Sequence, residues 1–297
     1  MKQVRPKKNL GQHFLTDLTI ARRIADTVDE PYPNLPVLEV GPGMGVMTQY
    51  LVNKPRPLKV VEIDRESVAY LNEHFPALRE NILGEDFLRM DLHQVFDGQP
   101  FVLTGNYPYD ISSQIFFKML DNRDLIPCCT GMIQHEVAVR MAAKPGNKQY
   151  GILSVLMQAW YDVEYLFTVE PSVFTPPPKV MSAVIRMTRN KVEHLDCDEQ
   201  LFKRVVKTVF NQRRKMLRVS LKQLLTDTQL LTLFATPHSA SAENYQLSSL
   251  SHTLEERTLN LTLRPEQLSI DQFVTLTNMV ERALCTTTND VCADTNT

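Results

Sequence analysis

Apolar and polar positions alternate along the chain with two different periods. Between residues 18 and 28, Ile20, Ile24 and Val28 recur four apart, which predicts an amphipathic helix. Pro31, Pro33 and Pro36 close that pattern. The short apolar run Val37-Leu38-Glu39-Val40 reads as a strand and leads into Gly41-Pro42-Gly43-Met44-Gly45, with a helix predicted over 46–52. A second strand is predicted over 58–63, ending in Glu62 and Asp64, and a helix over 67–75. Residues 81–95 read as a further strand–helix unit. The strand Phe101-Val102-Leu103-Thr104 runs into Gly105-Asn106-Tyr107-Pro108-Tyr109, followed by a helix over 111–120. Met132-Ile133 begins another strand, residues 151–161 suit a helix, and Val184-Ile185-Arg186-Met187 suits a last strand.

Strands alternating with helices predict an α/β fold, a Rossmann-like sheet with helices on both faces, over residues 1–190. Strand signals then stop. Leu201, Val205 and Val209 recur every four residues, and Phe273, Leu276, Val280 and Leu284 stripe a final helix. A small all-helical domain is therefore expected over 191–285. Residues 236–262 are polar and uneven and read as a loop, and 286–297 read as a disordered tail.

Composition narrows the function classes. The chain has 297 residues, 43% hydrophobic and 22% charged, which is ordinary for a globular protein. Cys128, Cys129, Cys197, Cys285 and Cys292 form no CxxC pair, so neither a zinc site nor a redox motif is expected, and a reducing cytoplasm fits. No apolar run approaches the ~20 residues needed to cross a bilayer. Net charge is −2, but from Lys203 to Lys222 there are many basic residues and no Asp or Glu. That stretch predicts a basic surface on an acidic protein.

The glycine loop after the first strand of the sheet is the candidate cofactor site. Gly41 and Gly43 let the backbone pass close to a ligand, and Glu62, about 20 positions on, stands where a ribose-binding carboxylate is expected. A dinucleotide fingerprint would place a glycine at position 46, which is Val46 here. S-adenosylmethionine, which has no pyrophosphate, suits this loop better. Asp86 has two readings, a hydrogen-bond acceptor for the cofactor adenine or a helix N-cap.

The sharpest signal is Asn106-Tyr107-Pro108-Tyr109 at a strand end. The N6 lone pair of adenine is delocalised into its ring and is a poor nucleophile. Two acceptors on its N–H bonds draw the nitrogen towards a tetrahedral shape, and the Asn106 amide with the Tyr107 carbonyl would supply them. Pro108 stiffens the turn and removes a competing N–H. Tyr109 offers a ring for stacking on the base, worth ~1–3 kcal/mol.

From Asn9 to about Leu284 the chain resembles the KsgA-type ribosomal RNA adenine dimethyltransferases. The resemblance is carried by Asn9-Leu10-Gly11-Gln12-His13-Phe14-Leu15, Glu39-Val40-Gly41-Pro42-Gly43, Val61-Glu62-Ile63-Asp64 and Gly105-Asn106-Tyr107-Pro108-Tyr109. Phe174-Thr175-Pro176-Pro177-Pro178-Lys179-Val180 and Phe210-Asn211-Gln212-Arg213-Arg214-Lys215 complete it. It implies an N-terminal segment that closes over the cofactor, with contacts at His13, Leu15, Gly41, Glu62, Asp86 and Asn106. It also implies that Tyr109 and Phe174 sandwich the target adenine. Four features depart from the family. His13 stands where Asn is frequent, Tyr107 where Leu is usual and Val219 where Asn is usual, and residues 235–262 are longer than the norm.

Arg213, Arg214, Lys215 and Arg218, with Lys203, Arg204, Lys207 and Lys222, are the expected RNA surface, extended by Lys7, Lys8, Lys144, Lys148 and Lys179. The expected activity is methylation at N6 of two adjacent adenosines near the 3′ end of small-subunit (16S) rRNA, by a cytoplasmic monomer acting on the immature ribosomal subunit without a metal. The alternatives are a large-subunit rRNA methyltransferase of the antibiotic-resistance type, a mainly non-enzymatic assembly factor and an NAD-dependent oxidoreductase.

Overall fold

The computed structural model describes Lys7 and residues 13–234 and 259–290. The chain divides into two compact units, one of Met1–Ala142 with Trp160–Lys191, the other of Ala143–Ala159 with Val192–Thr297.

The first unit is built on a seven-stranded sheet. A two-residue strand, β1 (Phe14–Leu15), precedes helix α1 (Leu18–Asp26). Asp17 caps α1 by accepting from the backbone N–H groups of Thr19 and Ile20. Then follow β2 (Val37–Val40), α2 (Thr48–Leu51), β3 (Leu58–Val61), α3 (Arg65–His74), β4 (Ile82–Leu83), β5 (Val102–Asn106), α4 (Ser112–Asp121), β6 (Cys128–Gln134) and α5 (His135–Ala142). Strands β7 (Tyr161–Val169) and β9 (Ser182–Arg189) complete the sheet, and β8 (Phe174–Thr175) pairs with β1 outside it. The order is β4-β3-β2-β5-β6-β9-β7. The strands from β4 to β6 are parallel, and β9 is antiparallel to both β6 and β7.

This topology decides where a ligand goes. From β2 the chain moves outward to β3 and β4, then returns to place β5 on the other side of β2. The crevice between β2 and β5 is therefore a topological switch point, where open α/β sheets bind ligands. Register puts Val40 level with Val61 and with Gly105, so the glycine loop, Glu62 and Asn106 emerge at one edge. Beneath, Val37, Val60, Val102, Cys128 and Val184 share one core with Ala21, Ile24 and Val28.

Several elements differ from expectation. Only Thr48–Leu51 is helical in the predicted 46–52 helix, because the loop makes three positive-φ turns first. The 81–95 unit contains a two-residue strand and a short 3-10 turn, Leu92–Gln94, instead of a helix. Strand β7 was not expected. Its alternation of Tyr161, Val163 and Tyr165 with Asp162 and Glu164 breaks at an irregularity between Tyr165 and Phe167, which shifts the phase.

The second unit is helical: α6 (Ile152–Gln158), α7 (Glu199–Asn211), α8 (Leu217–Ser220), α9 (Asp227–Phe234) and α10 (Ile270–Asp290). Phe202, Val205, Val209, Phe273, Leu276 and Val280 are fully buried, and the Phe210 and Phe273 rings stack 5.8 Å apart. Residues 143–159, read from the sequence with the sheet, group here instead. The Gly146 N–H donates to the Glu266 carbonyl at 2.7 Å, and the Arg213 guanidinium to the Asn147 carbonyl at 3.3 Å. Helix α10 continues to Asp290, five residues into the expected tail. Residues 291–297, and 236–258 of the expected loop, lie outside the described residues.

Candidate active site

A cavity of about 260 Å³ opens at the switch point. It is lined by His13, Leu15, Gly41, Gly43, Glu62, Asp86 and Asn106, all the residues expected to touch the cofactor, and by Tyr107, Pro108 and Tyr109.

The loop after β2 is shaped by left-handed backbone. Gly45 has φ +78°, and a Cβ there would run into the Phe75 ring, so this third glycine lets the loop pack on the end of α3. The Gly41 N–H donates to the Val61 carbonyl at 3.0 Å. The Glu62 carboxylate accepts from the Gly43 N–H at 3.1 Å and from the Asp64 N–H at 2.9 Å. Burial raises the Glu62 pKa, and those two bonds oppose the shift. Asp86 stands at the cavity but caps no helix, because the chain after it makes only a turn. Its carboxylate accepts from the Leu88 N–H at 2.9 Å.

Asn106 ends β5. Its side-chain nitrogen donates to the His13 carbonyl at 3.3 Å, and among the described residues the amide oxygen has no donor, so it can accept from a ligand. Tyr107 turns its ring away from solvent, and its hydroxyl donates to the Thr130 carbonyl at 3.0 Å. The ring fits because Gly131 has no side chain; a Cβ there would sit 2.7 Å from a Tyr107 ring carbon. Tyr109 is half-buried. Its ring lies 5.6 Å from that of His13, and its hydroxyl is 2.5 Å from Ser182 Oγ.

The β1–β8 pair forms a strap beside the cavity. Phe14 faces Thr175 and Leu15 faces Phe174 in register. The Thr16 N–H and hydroxyl both donate to the Val173 carbonyl, and His13 Nδ1 lies 2.8 Å from the Pro176 carbonyl. Phe174, expected as a second wall for the base, does not line the cavity. It is 3% exposed and packs in the core with Leu15 and Val173. Residues 9–12 of the N-terminal motif lie outside the described residues.

Glu39 and Ile63 also line the cavity, and neither had a role of its own in the sequence reading. Glu39 is buried, accepts from the Thr48 hydroxyl at 2.7 Å and has its pKa pushed up to about 7 by burial. Its signal was an acid in an otherwise apolar strand. Ile63 is 55% exposed between Glu62 and Asp64, and its signal was an apolar residue flanked by two acids. Lys7, read as part of the RNA surface, is ion-paired to Asp64 at 2.5 Å.

In the second unit Arg213 is engaged within the fold, 3.8 Å from Glu266 and bonded to the Asn147 carbonyl. Arg214, Lys215 and Arg218 are exposed. Among the described residues no acidic, His or Cys cluster could hold a metal ion, and no helix is long and apolar enough to cross a membrane.

Comparison with known proteins gives concordant results. The family model for ribosomal RNA adenine dimethylase matches residues 3–256. Ribosomal RNA small subunit methyltransferase A of Bacteroides thetaiotaomicron is 62% identical over 288 residues, covering 97% of this chain and 98% of that one. A crystal structure of a dimethyladenosine transferase from Plasmodium falciparum matches with a TM-score of 0.70 at 22% identity, over 91% of this chain and 98% of that one, a likeness of fold. The 23S rRNA methyltransferase ErmE matches with a TM-score of 0.63 at 25% identity, over 90% and 99%. With its motifs in order along the chain, its Asn106–Tyr109 turn at the switch point and these matches over nearly its whole length, the chain belongs to the ribosomal RNA adenine dimethylase family.

Proposed function

We propose that the chain transfers methyl groups from S-adenosylmethionine to N6 of two adjacent adenosines near the 3′ end of small-subunit rRNA. The observation that carries this reading is Asn106, anchored through its side-chain nitrogen on the His13 carbonyl, with its amide oxygen without a donor among the described residues and beside a cavity at the switch point.

The cavity fits the cofactor. Among the described residues it is lined by Glu39, Glu62, Glu85, Asp86 and Asp110 and by no Lys or Arg. Such a pocket favours a cationic sulfonium over a pyrophosphate, which weighs against the oxidoreductase alternative. Glu62 would hold the ribose hydroxyls, Asp86 the adenine amine, and Ile63 a face of the adenine ring. When bound, S-adenosylmethionine supplies an electrophilic methyl group.

The residues around the target base do the rest. The Asn106 amide oxygen and the Tyr107 carbonyl accept from the two N6–H bonds, which localises the nitrogen lone pair and aims it along the displacement axis. Tyr109 stacks on the base. Once methylated, N6 is acidic enough to lose its proton to water, so no strong base is needed. Positioning supplies most of the rate.

The preferred substrate is the small subunit before it is complete, where the target adenines are unstacked enough to enter the pocket. Arg214, Lys215 and Arg218 would hold its phosphates. The free thiols of Cys128, Cys129 and Cys197 suit a cytoplasmic site of action. The large-subunit alternative rests on a 25% identical structure, against the 62% identical small-subunit relative. Asn106→Ala is expected to lower methyl transfer by at least ~10²-fold while leaving subunit binding within about threefold. Undiminished transfer would remove Asn106 from the mechanism.

A further inference from the structure

We infer that Ser182 is a positioning residue for the reaction, holding the Tyr109 ring at the angle at which it receives the target base. This rests on the reading of Tyr109 as the stacking wall.

Tyr109 stands at the start of a short 3-10 turn, Tyr109–Ile111, that leads into α4, and its ring is half-buried. A half-buried ring held at one edge only would sample several tilts, and stacking is lost when the planes diverge. Its hydroxyl, however, is 2.5 Å from Ser182 Oγ. Ser182 is fully buried, the first residue of β9, level with Gln134 of β6 and Val169 of β7. Its backbone is therefore held between two neighbouring strands. The far end of the Tyr109 side chain is tied to the sheet, while its near end is fixed by the turn after Pro108. The His13 ring, 5.6 Å away and inclined by 30°, limits the remaining motion from one side.

Burial raises the Tyr109 pKa, so the phenol stays protonated and keeps a proton to share with Ser182. Chain order adds a consequence. Ser182 closes the segment that begins with Phe174, so the strap beside the cavity and the anchor of the stacking ring belong to one stretch of chain.

The test is a double-mutant cycle in the full-length protein, with immature small subunits as substrate and saturating S-adenosylmethionine. Ser182→Ala and Tyr109→Phe are each expected to lower the single-turnover rate by roughly tenfold, with affinity for S-adenosylmethionine unchanged. The double variant is expected to be no slower than Tyr109→Phe alone. Tyr109→Phe keeps the ring and reports on the same bond should Ser182→Ala fold poorly. Multiplicative losses in the double variant, or single-variant rates like the wild type, would overturn the proposal. Tyr109→Ala tests the stacking reading separately. If it turns over normally, the base does not stack there. If it is inactive while the cycle is multiplicative, stacking stands and the Ser182 role fails.

Discussion

Tyr107 stands where the family usually carries Leu, and the structure accounts for the exchange. The ring occupies space left by Gly105 and Gly131, packs edge-on to Phe116 at 5.5 Å, and ends on the Thr130 carbonyl. The side chain thus serves the sheet, and what remains at the cavity is backbone, in keeping with a carbonyl role. Glu39 shows the opposite compromise, a carboxyl buried for the sake of the site. With a folded pKa of about 7 against an ordinary 4.5, it binds more protons folded than unfolded between those values. Stability without cofactor is therefore highest below about pH 4.5 on this group's account, falls as pH rises to about 7, and stays low above. Glu39→Gln keeps an acceptor for Thr48 and is expected to raise stability at pH 8 by up to about 3 kcal/mol. Urea melts at pH 5 and pH 8 would check this. The pH slope should shrink rather than vanish, because burial shifts Glu62 in the same direction. An unchanged slope would mean that Glu39 is not held in this environment.

At the scale of elements, the strap of β1 and β8 raises the sharpest question, because it holds Phe174 in the core. Phe174→Leu keeps most of the apolar volume and removes the flat ring. If Phe174 serves only the strap, turnover should stay within about threefold of wild type, with at most ~1.5 kcal/mol lost in stability. Collapse of turnover with an intact melting transition would show that its ring leaves the core to meet the base. The same element marks the limit of what could be read from sequence. The strands feeding the site were legible because Val37–Val40 and the run into Asn106 are short, apolar and end in turn residues. The switch point followed once their order was known. The strap was not legible, because two-residue strands carry no period, and neither was the Ser182 anchor, because a serine at a strand start has no pattern of its own. Strand β7 was hidden by its change of phase, and residues 143–159 by bonds to Glu266 and Arg213 that are distant in sequence.

At the scale of the whole molecule, a net charge of −2 conceals a separation of charge. The cavity in the first unit is lined by acids, whereas Arg214, Lys215 and Arg218 are exposed in the second. Acids suit a cationic cofactor and bases suit phosphates, so the two binding events should respond differently to salt. Replacing Arg214, Lys215 and Arg218 together with Ala is expected to weaken subunit binding by tenfold or more at about 0.1 M salt. The slope of log affinity against log salt should flatten by about 2–3, with cofactor affinity unchanged. Filter binding across a salt series would measure it, and an unaltered slope would place the RNA surface elsewhere. The central claim is tested most directly by mass spectrometry of rRNA after incubating the purified protein with S-adenosylmethionine and immature subunits of both kinds. The expected result is two methyl groups on N6 of each of two adjacent adenosines near the 3′ end of the small-subunit RNA, absent with Asn106→Ala. Modification of the large-subunit RNA alone, or at an atom other than adenine N6, would contradict it.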